Sequence, residues 1–150
     1  MSGIIGGAGS KSGIIGQTEL DYEEGIHVVT ATGSTSGTAD VSSTVNQLSY
    51  TKIGRTVRVG GTIYVTNVSP ISGTLMFSLP FVMQASVNGD GYWAVAVPTY
   101  NVNWTGDFVS GQSAPTNAKL EFWGINDDGT TSTCATTGYY RVQFVYETTA

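Results

Sequence analysis

Between residues 50 and 81 the chain alternates apolar and polar side chains with a period of two. Val57, Val59, Ile63 and Val65 share one parity, and Arg58, Thr62, Tyr64 and Thr66 share the other. An extended backbone therefore buries the first set and turns the second outward. Gly54 marks a turn before this long strand, and Pro70 with Gly73 marks one after it. Leu75, Phe77, Leu79 and Phe81 then repeat the inward pattern with larger side chains. Together these positions predict the core face of a sandwich or barrel sheet.

The last strand alternates as cleanly. Tyr140, Val142, Phe144 and Tyr146 oppose Tyr139, Arg141, Gln143 and Glu147. Elsewhere the pattern predicts strands over residues 26–32, 48–53, 81–87, 92–97, 100–104 and 119–125. Residues 88–91, Asn-Gly-Asp-Gly, read as a hairpin turn, and residues 126–129 as another. Residues 33–47 read as a polar loop or weak edge strand, and residues 107–117 as a long polar loop. No window carries a convincing helical period. About eight or nine strands joined by Gly-rich turns predict an all-β fold, an antiparallel jelly-roll β-sandwich.

Composition narrows the picture. A chain of 150 residues is long enough for one domain with a proper core. Charged residues make up only 11% and apolar ones 40%, a balance that folds. The net charge of −5 and a pI near 4.5 disfavour a nucleic-acid partner, which needs a basic stripe. Cys134 is the single cysteine, so neither an internal disulfide nor a cysteine zinc cage is expected. No secretory leader and no membrane-spanning apolar run are visible, which predicts a chain made in a cytoplasm without a membrane partner.

The N-terminus carries a repeat, Ser-Gly-Ile-Ile-Gly at residues 2–6 and 12–16. Each copy sets an Ile pair, Ile4-Ile5 and Ile14-Ile15, in a Gly/Ser backbone too flexible to fold alone. Such a stretch is either a floppy tail or an arm whose Ile pairs dock onto a partner or a neighbouring subunit and order on binding, and the arm is the expectation. Residues 17–25 read as an acidic hinge. The expected division is an anchoring arm over residues 1–25 and a jelly-roll domain over 26–150.

Candidate chemistry is sparse. Gly7 to Ser12 superficially resembles a phosphate loop, but Ser10 stands where a P-loop needs Gly before Lys11. His27 is the only histidine and lies in a strand without a nucleophile near it in sequence. Ser49 and Lys52 match S-x-x-K, a motif that works from a helix with companion motifs. Asp90, Asp107, Asp127 and Asp128 sit in turns or loops, where Asp commonly bonds its own backbone. No metal site and no cofactor are expected. The aromatics say more: Tyr64, Trp123 and Tyr139 are left on outward positions once the core is filled. With Trp104 they form a candidate subunit interface or glycan platform.

A run of motifs resembles a known family. Asp21-Tyr22-Glu23-Glu24-Gly25, Gly33-Ser34-Thr35-Ser36-Gly37, Tyr50-Thr51-Lys52-Ile53-Gly54 followed by Val57 and Val59, and Gly73, Leu75 and Leu79-Pro80-Phe81 occur in this order. They resemble the small jelly-roll module of tailed-bacteriophage tail and head fibres and capsid decoration proteins. The resemblance is specific over residues 21–81, and it departs after Gly25, where Ile26-His27-Val28-Val29 replaces the Thr-Trp-Thr-Pro of many relatives. It implies a virion surface protein, commonly a homotrimer without enzymatic activity, assembled in the host cytoplasm. Its partners would be the major capsid protein or another virion protein. A stand-alone module with a docking arm fits a capsid decoration (cement) protein; the alternative is a short tail-fibre or baseplate adhesin that binds a host glycan through Trp104 and Trp123.

Overall fold

A computed structural model describes residues 21–84, 94–102, 108–113, 118–128 and 130–148. These residues form strands β1 (Tyr22–Val28), β2 (Ala31–Gly33), β3 (Thr38–Ile53), β4 (Thr56–Asn67), β5 (Leu75–Ser78), β6 (Ala94–Ala96), β7 (Thr99–Tyr100), β8 (Phe108–Ser113), β9 (Lys119–Ile125), β10 (Thr131–Thr133) and β11 (Gly138–Glu147). The fold is all-β, and every pairing among the strands is antiparallel.

The strands make one curled sheet in the order β6-β8-β9-β5-β2-β3-β4-β11-β7, with β1 added to β3 and β10 to β9. β3 is the element that bends it. Its start pairs with β2, whereas residues 46–53 pair with β1 and β4. The β3–β4 register breaks between Val41 and Asn46. There Ser42 Oγ accepts the Thr44 amide at 3.2 Å, a local bond that competes with the ladder. The bend divides the sheet into a long-strand half (β1, the end of β3, β4, β11, β7) and a short-strand half (β2, β5, β6, β8, β9, β10).

The two halves close on one core. Val57, Val59, Ile63 and Val65 are fully buried from β4, as are Leu75 and Phe77 from β5. Tyr140 of β11 receives Phe77 and Phe122 of the other half at ring-centroid distances of 5.4 and 5.1 Å. Phe77 and Phe122 meet edge-on at 4.6 Å. The inward parities expected for β4, β5 and β11 are thus the observed ones, with Phe81 and Phe144 only partly buried.

Several expectations need correction. The stretch read as an acidic hinge is strand from Tyr22 onward, paired from Tyr22↔Ile53 to Val28↔Gln47. Its acids are used locally: Lys52 pairs with Asp21, and the Tyr50 hydroxyl donates to Glu23 at 2.8 Å. The polar residues 33–47 build the ends of β2 and much of β3, and the loop expected over 107–117 contains β8. Small polar side chains there look loop-like, yet ladder bonds to β9 satisfy the backbone and Val109 is buried. β4 and β5 are not neighbours, because the turn between them carries the chain to the other half. Of the strand expected over 81–87, the described part holds only a bridge between Met83 and Thr148. The expected 88–91 turn lies outside the described residues.

Candidate functional site

Alternation dictates what each half shows to its surroundings. With Val59 and Ile63 inward, β4 turns Arg58, Gly60, Thr62 and Tyr64 outward. The register places Val145, Gln143, Arg141 and Tyr139 of β11 opposite them in turn. On the other side of β4 stand Thr51, Ser49 and Gln47 of β3, followed by Glu24, Ile26 and Val28 of β1. One continuous outer face results.

Tyr64 and Tyr139 of the candidate platform meet on this face. They are a direct cross-strand pair, their rings parallel to within 8° and 4.3 Å apart. Tyr100, which the sequence reading passed over, tilts against Tyr139 at 6.1 Å. Cross-strand aromatic pairs of this kind hold register and leave one ring face available.

Trp123 does not join them. It projects from β9 on the outer face of the short-strand half, in a recess of about 210 Å³ with Ser110, Gln112, Ile125 and Thr131. Its indole nitrogen is buried and has no acceptor among the described residues. Trp104, Ile4, Ile5, Ile14 and Ile15 lie outside the described residues. The proposed platform is therefore two separate features.

Along the long-strand face, an open groove of about 690 Å³ runs between Arg58, Thr62, Arg141, Gln143 and Val145, with Pro98 at its side. A second hollow of about 390 Å³, over Ser49, Tyr50, Thr51 and Gly60, shares Arg58, Gly61 and Gln143 with it. Arg58 and Arg141 make no ion pair among the described residues, whereas Lys52 and Arg55 are paired with Asp21 and Glu147. The β1 margin of the same face is largely apolar: Tyr22, Ile26 and Val28 are 54%, 66% and 55% exposed, with Ile53 exposed opposite Tyr22 and Glu24 between Tyr22 and Ile26. Alternation over residues 26–32 sets Ile26 and Val28 on one parity, whereas the acidic composition of residues 17–25 looks like a hinge and conceals Tyr22.

The remaining candidates are local structure. His27 Nε2 lies 2.9 Å from Ser78 Oγ, which also accepts the Thr30 amide at 2.9 Å. This bond ties β1 to β5. Burial lowers the His27 pKa and a backbone bond to Ser78 partly opposes it. No carboxylate orients the ring among the described residues, so the pair lacks the third member of a hydrolytic triad. Ser49 gives its proton to the Gly60 carbonyl at 2.9 Å and faces away from Lys52 on an extended strand. Cys134 is fully buried against the Tyr140 hydroxyl, and burial pushes its thiol up to about 11, well away from thiolate chemistry at neutral pH. Asp128 accepts the Thr130 amide and hydroxyl, which hold its carboxyl below the usual range and close the turn. No group of three or more metal-ligating side chains occurs among the described residues.

No family model matches the chain, and no curated protein or solved structure matches it.

Proposed function

We propose that this chain is a structural protein of a tailed-bacteriophage virion, a homotrimeric capsid decoration or head-fibre protein without enzymatic activity. In this reading the curled sheet is a jelly-roll sandwich, and the segment before β1 grips the major capsid protein or another virion protein through Ile4, Ile5, Ile14 and Ile15. The motif resemblance over residues 21–81 supports it. The observation that carries it is the exposed apolar margin of β1, Tyr22, Ile26 and Val28, on the strand that follows residues 1–20 directly. An exposed, largely apolar margin on a strand with no second neighbour among the described residues is a surface suited to being covered on assembly. The test is immunogold labelling of purified particles with an antibody against residues 26–150, beside a variant lacking residues 1–16. Label over the head, lost in the deletion variant while the trimer persists, is the expected result. Attachment retained without residues 1–16 would sink the anchoring role.

A second reading, a tail-fibre or baseplate adhesin for a host surface glycan, is favoured by the Trp123 recess. There an aromatic wall stands among the polar side chains of Ser110, Gln112 and Thr131. Label confined to the tail, with adsorption lost in Trp123→Ala, would select it.

A further inference from the structure

Gly60 and Gly61 stand side by side in the middle of the central strand, where glycine weakens a sheet. Gly61 has a packing reason. It faces the core, and a Cβ there would come within 2.5 Å of the Gln47 carbonyl oxygen and 3.0 Å of Leu48. Gly60 has none. It faces outward, and the nearest atom to a Cβ there is 3.9 Å away. A bare position that the fold does not require, in the hollow that adjoins the groove, marks the close approach of something else.

The rim of the groove states what that is. Arg58 and Arg141 stand on opposite sides of the Gly60–Gln143 pair, displaced by four residues along the strands, or ~13 Å. Neither has an ion-pair partner among the described residues, although the chain carries a net charge of −5. Between them lies the Gln143 amide beside Gly60, with the Thr62 hydroxyl opposite Arg141, and on the far side of β4 stand Ser49 opposite Gly60 and Thr51 opposite Arg58. The Tyr64–Tyr139 stack continues the same face one outward position beyond Thr62 and Arg141.

We propose that this groove binds a carboxylate-bearing oligosaccharide lying across β4 and β11, with one acidic group on each arginine. Guanidinium forks recognise carboxylates in two-point fashion, and the intervening polar side chains suit sugar hydroxyls. An extended peptide fits less well. β4 is already paired with β3 on one side and with β11 on the other, so no strand can be added here. The site is separate from both the β1 margin and the Trp123 recess, and it stands whether the chain sits on a phage head, on a tail or elsewhere.

The test is calorimetric titration of the purified full chain with a short oligogalacturonic acid. A malto-oligosaccharide of matched length and polyglutamate serve as controls. Binding of the acidic sugar alone, weakening with added salt, is expected. Arg58→Gln and Arg141→Gln should each weaken it about tenfold, the loss of one charge-assisted contact. Gly60→Val should abolish it while leaving the melting temperature unchanged or higher. The arginine variants carry the test if Gly60→Val fails to fold. No binding of the acidic sugar, equal binding of the neutral one, binding of polyglutamate as tight, or full affinity in both arginine variants would each overturn the proposal.

Discussion

The two halves of the curled sheet obey one inward rule and differ in what they do outward. In both, every second residue fills a common core, and rings from one half lie on Tyr140 of the other. Outward, the long-strand half presents an extended face with an apolar margin, an aromatic stack and a groove between two arginines. The short-strand half presents one tryptophan in a small recess and otherwise short polar segments. The difference teaches that burial constrains one parity of a strand tightly and leaves the other free. Function is to be sought in the free parity, and most of that freedom lies on β1, β4 and β11.

The largest effect should come from the seam that joins the halves. Phe122 is fully buried between Phe77 and Tyr140. Phe122→Ala should cost about 3–5 kcal/mol in a denaturant melt. Circular dichroism and aromatic fluorescence should report one shared transition, since neither half has a core of its own. Two separated transitions would show that the halves fold as independent units, and would break the comparison at its root.

The paired glycines sharpen the contrast between parities on a single strand. Gly61→Ala drives a Cβ into the Gln47 carbonyl, where backbone has little room to yield. A loss of about 1–3 kcal/mol is expected. Gly60→Ala, one residue away and outward, should leave stability unchanged or raise it by a few tenths of a kcal/mol, about what removing glycine from a strand returns. Similar losses at both positions, read by the same melt, would show that outward Gly60 is packed after all.

The inward parity is also the part that was legible in the amino-acid sequence. Val57, Val59, Ile63, Val65, Leu75, Phe77 and Tyr140 announce themselves by size and period, so β4, β5, β9 and β11 were placed closely. What stayed hidden was partnership. Nothing in the 33–47 stretch says that Thr38 and Ala39 pair with β2 while Asn46 and Gln47 pair with β4, because small polar side chains suit a ladder and a loop equally well. Nor does alternation reveal that β4 and β5 belong to different halves, since a turn of the same composition can close a hairpin or cross the core. The outward site suffered for the same reason. Tyr64 and Tyr139 could be seen as outward, but only the β4–β11 register stacks them, and only the bend in β3 puts Trp123 elsewhere.

The Tyr64–Tyr139 stack therefore tests register more than stability. Tyr139→Ala removes one ring of a partly exposed cross-strand pair and should cost about 0.5–1.5 kcal/mol. Tyr64→Ala should cost about the same, and the double variant should cost less than the two single losses added together. Strict additivity in that double-mutant cycle would mean that the rings do not interact in solution, and that the face is organised by backbone pairing alone.

The smallest effect tests how the edge strand β1 is tied to the other half. His27 is half-buried and bonded to Ser78, and burial lowers its pKa from the ordinary value of 6.5. The unfolded chain therefore takes up a proton on this ring at a higher pH than the folded one does. Where the unfolded state binds more protons, stability rises with pH. The contribution of His27 is thus fully present above pH 6.5 and falls away as the pH drops from there through the folded value. Protonation also places a charge on a half-buried ring, so local opening of β1 should precede global unfolding. Amide exchange at residues 22–28 should accelerate below pH 6.5 in the parent protein beyond what the change in intrinsic exchange predicts, and His27→Gln should remove that excess. Protection of β1 that stays constant through this window would show that His27 titrates without loosening the edge, leaving the Lys52–Asp21 pair and the ladder to β3 as what holds β1 in place.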